Sequence, residues 1–219
     1  LSGSLISSIP DELYTITSLE GIYVSINNNL EGTSLSSDIG NLVNLRHLYM
    51  ASNGFVGDMP QSLSNLTKLT YVQLGEAADD APDNHFTGAL PDFSSATELH
   101  KIIVSSNKLT GNWPHYWNNG NFEHLFTLGA SWNNFTGTMH NFDNLPMIRS
   151  FMIAGNDLTG GVDWLSTIDH GVIIISAGWN DFSGEFPQDW GGIYWDLRLF
   201  RLNDNNITGH IPCDFWDSV

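Results

Sequence analysis

Basic residues are scarce in this chain: seven lysines and arginines stand against 24 aspartates and glutamates in 219 residues, a formal net charge of −17 at pH 7. That balance excludes a general nucleic-acid binder, which needs cations along the phosphate backbone. Cysteine is nearly absent too. Cys213 stands alone, so no internal disulfide framework exists, and a partner in a further segment or a buried free thiol are the two readings left open. No apolar run approaches the roughly 20 residues that span a bilayer; the longest, 172–177, falls far short. GxSxG, HExxH, a phosphate loop and any Cys/His metal spacing among the eight histidines are all missing. The expectation is therefore no catalysis, no cofactor, no metal and no membrane insertion by this segment.

What the chain has instead is an asparagine that returns eight times in one frame: Asn27, Asn53, Asn84, Asn107, Asn133, Asn156, Asn180 and Asn205. In seven of the eight, the residues eight, five and three places earlier are aliphatic or aromatic, as Leu45, Leu48 and Met50 are for Asn53. A glycine follows four residues later in seven units, from Gly57 to Gly209, and five later in the first, at Gly32. The mean period of about 25 residues is that of a solenoid rather than a single globular core. Alternation in the LxL segment places two apolar side chains on one face of a short strand, so stacked units would form a parallel sheet along one side of a coil. The inward asparagine is expected to hydrogen-bond the backbone of the neighbouring turn, and the glycine to serve a tight turn or positive φ. Unbroken periodicity predicts one elongated domain over 1–219, with contacts mainly between adjacent turns.

The frame LxxLxLxxN followed by xLxG continues to proline in five units, as in Gly57-Asp58-Met59-Pro60 and Gly209-His210-Ile211-Pro212. This resembles the leucine-rich repeat family, in particular the plant-type class whose repeats end in GxIP, and the resemblance covers essentially the whole chain. It implies an α/β-type repeat solenoid: a right-handed superhelix with a parallel β-sheet on the concave face and irregular or short helical convex segments. There are departures. An insertion leaves Ala77 where the third asparagine belongs, and His140 and Asp163 replace the proline in two units. Leu1-Ser2-Gly3 reads as the end of an earlier repeat and no complete cap follows Pro212, so a fragment of a longer protein is expected.

Plant-type members serve as ectodomains of receptor kinases, receptor-like proteins and cell-wall inhibitors, which bind peptides, proteins or glycans. The resemblance thus implies an extracellular recognition or adhesion module that binds a protein, peptide or carbohydrate ligand on its concave face, secreted or on the outer cell surface. The alternative class is a non-catalytic structural subunit that assembles with further copies or other subunits. Three glycosylation sequons, at Asn65, Asn134 and Asn206, fit a secreted chain; the last two directly follow ladder asparagines, where an outward turn is expected. The acidic insertion at 76–83 (EAADDAPD) lacks the spacing of a calcium loop and reads as a solvated segment.

Four columns are expected to run across the exposed side of the sheet. Five of the seven cations fall on them: Arg46, Arg149 and Arg198 one residue after the first leucine of their units, Lys101 two after and Arg201 four after. One column varies in the manner of an interface, reading Tyr23, Tyr49, Gln73, Ile103, Gly129, Met152, Ser176 and Arg201. Tyr23, Tyr49, Arg46, His47 and Tyr71 are expected to cluster near one end. A third column, two residues before each asparagine, holds small side chains such as Ala51, Ser105 and Ala154. The last stands next to each asparagine and includes Trp132 and Trp179, two coils apart with Gly155 between. With strands about 4.8 Å apart the indoles would stand roughly 9 to 10 Å from each other and admit one flat group; the alternative is that both fold over the rim onto the adjacent turn.

Overall fold

Eight three-residue strands, Gly21–Tyr23, His47–Tyr49, Tyr71–Gln73, Lys101–Ile103, Thr127–Gly129, Ser150–Met152, Ile174–Ser176 and Leu199–Arg201, stack in chain order into one parallel sheet. They are seen in a computed structural model that describes residues 4, 6–76, 83–119, 122–142, 145–168, 171–188 and 196–212. Pairing runs in strict register, with Leu48 opposite both Ile22 and Val72 and Phe151 opposite both Leu128 and Ile175. Because side chains alternate along a strand, these central residues all point inward and are buried. Each full burial of a Leu, Ile or Phe side chain stabilises by about 1.5–3 kcal/mol, and the repeat supplies one or more at every coil.

The opposite side is made of short 3-10 turns, Asp11–Thr15, Ser37–Asn41, Gln61–Asn65 and Asp163–Thr167, and one α-helical turn, Tyr116–Asn119. The repeat prolines explain where such turns start. Pro10 and Pro60 immediately precede two of them, with φ of −71° and −60°, values the pyrrolidine ring sets in advance. At Ser36 a side-chain cap does the same work, accepting a hydrogen bond from the Asp38 amide at 3.1 Å.

A second sheet lies between these two sides and corrects the sequence reading of the xLxG segment as a turn. Thr110–Asn112, Asn134–Thr138, Asp157–Gly160, Asp181–Glu185 and Asn206–Thr208 form five parallel strands, and Val56–Asp58 pairs with His85–Thr87. Five of the repeat glycines, Gly57, Gly111, Gly137, Gly160 and Gly184, sit inside these strands at positive φ, 85° at Gly137 for instance. The apolar residue two places after six of the asparagines points into the core from here: Phe55, Phe86, Leu109, Phe135, Leu158 and Phe182 are all buried. Asn134 and Asn206 are exposed, as expected of the sequons, but they open strands rather than a turn. Their hydroxyl partners are tied to the preceding coil, Thr136 Oγ1 donating to the Gly111 carbonyl at 3.3 Å and Thr208 Oγ1 to that of Gly184 at 3.0 Å.

The asparagine ladder joins the coils as expected. Asn133 Nδ2 donates to Val104 O of the preceding coil at 3.0 Å and to Ala130 O of its own at 3.2 Å, while its Oδ1 accepts from the Leu109 amide at 3.0 Å. Asn156, Asn180 and Asn205 repeat the pattern on their own neighbours. Asn84, displaced in sequence by the insertion, still holds the ladder position: it donates to Met50 O and Leu74 O and accepts from the Asn53 and Phe55 amides. Entry into six of the eight turns puts the residue before the asparagine in the left-handed region, at φ of 52–59° for Ile26, Ser52, Ser106, Trp132, Trp179 and Asp204, and Gly155 before Asn156 lies there too, at 66°. That conformation costs an L-residue roughly 1–2 kcal/mol.

The readings at Leu1, Ser2 and Gly3, at 77–82 of the insertion and at Cys213 lie outside the described residues. Among the described residues no helix is long and apolar enough to cross a membrane, and no group of three or more His, Cys, Asp or Glu side chains could hold a metal ion.

Replacing Asn133 by Ala should destabilise the solenoid by about 1–3 kcal/mol, because its backbone partners stay buried without it. Asn134→Gln, one residue on and exposed, should stay within about 0.5 kcal/mol in unglycosylated protein. Denaturant melts of the two variants measure the difference; equal shifts would mean the ladder is misassigned.

Candidate functional site

On the concave face the aromatic residues at the first coils join into one strip. Tyr23 stacks on Tyr49 with ring centroids 5.2 Å apart and planes 11° from parallel, and its hydroxyl lies 2.8 Å from His47 Nδ1. His47 meets Tyr71 at 5.5 Å, Tyr71 stacks on His100 at 5.6 Å, and His100 stacks on His124 at 5.6 Å. Phe126 closes edge-on against both Tyr71 and His100. Of the expected cluster of Tyr23, Arg46, His47, Tyr49 and Tyr71, the four rings are in contact, and the strip they begin continues over more coils. His100, His124 and Phe126 are absent from the sequence-derived candidates. Phe126 could have been found, since it follows Arg46, Thr70 and His100 in the column just before the strands, as the shared amide partners of successive coils show. Burial, and then the neighbouring Tyr23 and Tyr71 phenols, hold the Tyr49 hydroxyl above the usual tyrosine range. It remains a neutral donor at physiological pH.

The cations divide into two groups. Arg46, Arg198 and Arg201 are exposed, as their columns predict. Arg149 instead lies flat on the next coil: Nη1 donates to Ile148 O at 3.0 Å, and the guanidinium covers Gly171, where a Cβ would come 2.7 Å from Cζ. Lys101 Nζ donates to Gln73 Oε1 at 3.2 Å. Met152, also expected to be displayed, is half-buried and fills the space above Gly129 together with Ile103. Much of the column of small residues is buried rather than exposed: Ala51, Ser105 and Ala154 are covered, while Asn203 at its far end is exposed. At Gly75 a Cβ would fall 2.3 Å from the Ser105 carbonyl oxygen, so adjacent backbones pass too closely there for anything larger.

The tryptophan pair requires a correction. Trp132 and Trp179 are exposed, 52% and 44%, but no slot separates them, because their ring centroids lie 5.5 Å apart with planes 36° from parallel. The Trp132 indole leans across Gly155, where a Cβ would come 2.3 Å from Cε3, and so reaches toward Trp179. The arrangement combines both sequence-level alternatives: one ring folds onto the adjacent turn, and the pair still presents a single open indole surface.

Gly155→Ala should break this surface, since the added methyl both collides with Trp132 and forces alanine to φ of 66°. The expected outcome is loss of contact between the indoles, read as disappearance of Trp132–Trp179 proton cross-relaxation, with a stability loss of about 1–2 kcal/mol. Retention of the cross-relaxation would contradict the seating on Gly155.

Comparison with known proteins agrees with this architecture. A profile of the family described as Leucine Rich Repeat matches residues 44–66 and 196–218. Receptor-like protein 39 of Arabidopsis thaliana is 31% identical over 153 residues, covering 61% of this chain and 17% of that protein. Receptor-like protein 41 of the same plant is 32% identical over 152 residues, with the same coverage. The chain thus spans less than a fifth of the length of the curated relatives it matches. Among solved structures, a TDR receptor superposes with a TM-score of 0.82 at 23% identity over 96% of this chain and 35% of that one. A plant ice-binding protein superposes at 0.74 and 22% identity over 93% and 62%. A receptor and an ice-binding protein on one scaffold show that the likeness fixes the fold and leaves the ligand to the surface. The registered asparagine ladder and the stacked parallel sheets make the chain a leucine-rich repeat solenoid, and these relatives are what give it its similarity to the plant-type class.

Proposed function

We propose that this chain is an extracellular recognition module that binds a protein or peptide partner across its concave face without chemistry of its own. The observation that carries the reading is the continuous ring strip from Tyr23 and Tyr49 through His47, Tyr71 and His100 to His124. Aromatic groups displayed where the repeat does not require them, bordered by the exposed Arg46, supply the mix of apolar contact and charge that concentrates binding energy at interfaces. Likeness to receptor-like proteins supports the same reading. Lys101, Arg149, Arg198 and Arg201 extend the positive character along the strands and would steer acidic portions of a partner toward them. Glycans at Asn65, Asn134 and Asn206 would lie away from the concave strands and leave the face open.

The test compares retention of partners from the extracellular fluid of the source tissue by three immobilised forms. The wild-type chain should retain a partner; Tyr71→Ala combined with Arg46→Glu should reduce retention at least tenfold, and Lys68→Ala should not change it, since Lys68 only donates to Asn44 at 2.6 Å away from the strands. Light scattering should show a monomer. Self-association at micromolar concentration, indifferent to the Tyr71 and Arg46 changes, would favour a structural subunit of a larger assembly instead.

Peptide mass mapping of protein from its source is expected to find glycan on Asn134 or Asn206. Unmodified peptides at all three sequons would remove the support those sites lend to an extracellular location.

A further inference from the structure

The column beside the ladder asparagines does more than display two indoles. Its members on consecutive coils are Glu76, Ser106, Trp132, Gly155, Trp179 and Asp204. The backbone confirms the alignment: the amides of Glu76, Ser106, Trp132, Gly155 and Trp179 each donate to the residue just before the next member, Ser105, Ser131, Ala154, Gly178 and Asn203. An exposed carboxylate therefore stands at each end of the indole pair. Both carboxylates are oriented by local hydrogen bonds, Glu76 Oε2 accepting from Ser106 Oγ at 3.2 Å and the Asp204 carboxylate from the Asn203 side-chain amide. No lysine or arginine occupies this column.

We propose that this rim is a binding site for a basic polypeptide segment, with one lysine or arginine side chain seated over Trp132 and Trp179 and its neighbours held by Asp204 and Glu76. One general property of indoles and two observations on this chain choose a cation over a neutral or anionic ligand. The face of an indole attracts cations through its quadrupole, most strongly among the aromatic side chains. The two indoles are closed against each other at 5.5 Å, so they offer an outer surface and no slot into which a flat ring could slide. Carboxylates bracket the pair in a molecule of net charge −17, which repels anions and draws cations at long range. Both tryptophans are held at left-handed φ, 56° and 52°, where a bulky residue is disfavoured; Gly155 between them is the residue that lets the first ring lie down.

The rim borders the concave face, and the proposal extends the recognition reading by naming the charge of the segment that lies there. From Glu76 to Asp204 the column crosses five strand spacings, about 24 Å, a length that roughly seven extended residues cover. The probe is accordingly a seven-residue peptide of alternating glycine and lysine, with blocked ends. Three comparison ligands accompany it: the same peptide with every lysine acetylated, its glutamate counterpart, and a neutral glucose oligosaccharide. Binding is followed by the indole N–H resonances of Trp132 and Trp179 in the wild-type chain and in Trp179→Ala, Trp132→Ala, Asp204→Asn and Glu76→Gln variants whose melting is first shown to match wild type.

The lysine peptide should shift both resonances saturably, and its Kd should rise about three- to tenfold in either tryptophan variant. Asp204→Asn should also weaken it, and binding should fall as salt increases. Absence of saturable binding overturns the site. So does binding that is equal in wild type and both tryptophan variants, which is the signature of a diffuse acidic shell. Indole-dependent binding of the acetylated peptide or the oligosaccharide, unaffected by Asp204→Asn, replaces the cation with a neutral stacking ligand. Because the probe requires no natural partner, a rim that binds it in a chain that retains nothing from the extracellular fluid would refute concave-face recognition while leaving this site standing.

Discussion

Everything in this molecule depends on one side-chain amide that bonds across coils. A coil of about 25 residues cannot bury both its apolar stripe and the backbone of the turn leaving its strand unless the turn's carbonyls and amides are paired. The asparagine pairs them in both directions, donating to the strand-end carbonyls of its own coil and the preceding one and accepting an amide from the latter. Asparagine suits the role because its donors and acceptor sit on one short planar group; aspartate lacks the donors and glutamine is one methylene too long to reach without a different turn. The left-handed residue before it, the close-packed small column and the second sheet all follow from holding successive turns at strand spacing.

This explains why the fold was legible and much of the surface was not. Asn53, Leu45, Leu48 and Met50 announce the repeat because each must satisfy the same geometric demand at every coil. The xLxG segment was read as a turn since its glycines, such as Gly137, have the positive φ that turns use; in the stacked coil that φ occurs within an extended segment that pairs with its neighbours. A single unit could not reveal this, because the pairing exists only between units. Ala51 and Ser105 were placed on the surface by alternation alone, while backbone approach between coils, which buries them, depends on curvature.

The candidate site divides along the same line. Tyr23, His47, Tyr49 and Tyr71 could be grouped from register because neighbouring strands set their distances. Arg149 could not, since the course of a long side chain is decided by what lies beside it, here the bare backbone of Gly171. Trp132 and Trp179 were given the right coil and the wrong separation. Strand spacing fixes where two side chains leave the backbone, and side-chain torsions then carried the ring across Gly155 by several ångströms. Register predicts proximity of bases, and packing decides where the tips go.

Asn84 has a wider meaning. It holds its ladder position although it arrives seven residues later than the frame requires, and its hydrogen bonds reach Met50 and Leu74 as though no residues had been added. The stack therefore measures the end of each strand and the arrival of the next asparagine, and it does not measure the path between them. Closing a longer excursion costs little, about 0.6 kcal/mol for each doubling of length. That junction is a natural port where foreign loops could be inserted and varied without renegotiating the scaffold, and where lineages of such proteins could diversify most cheaply.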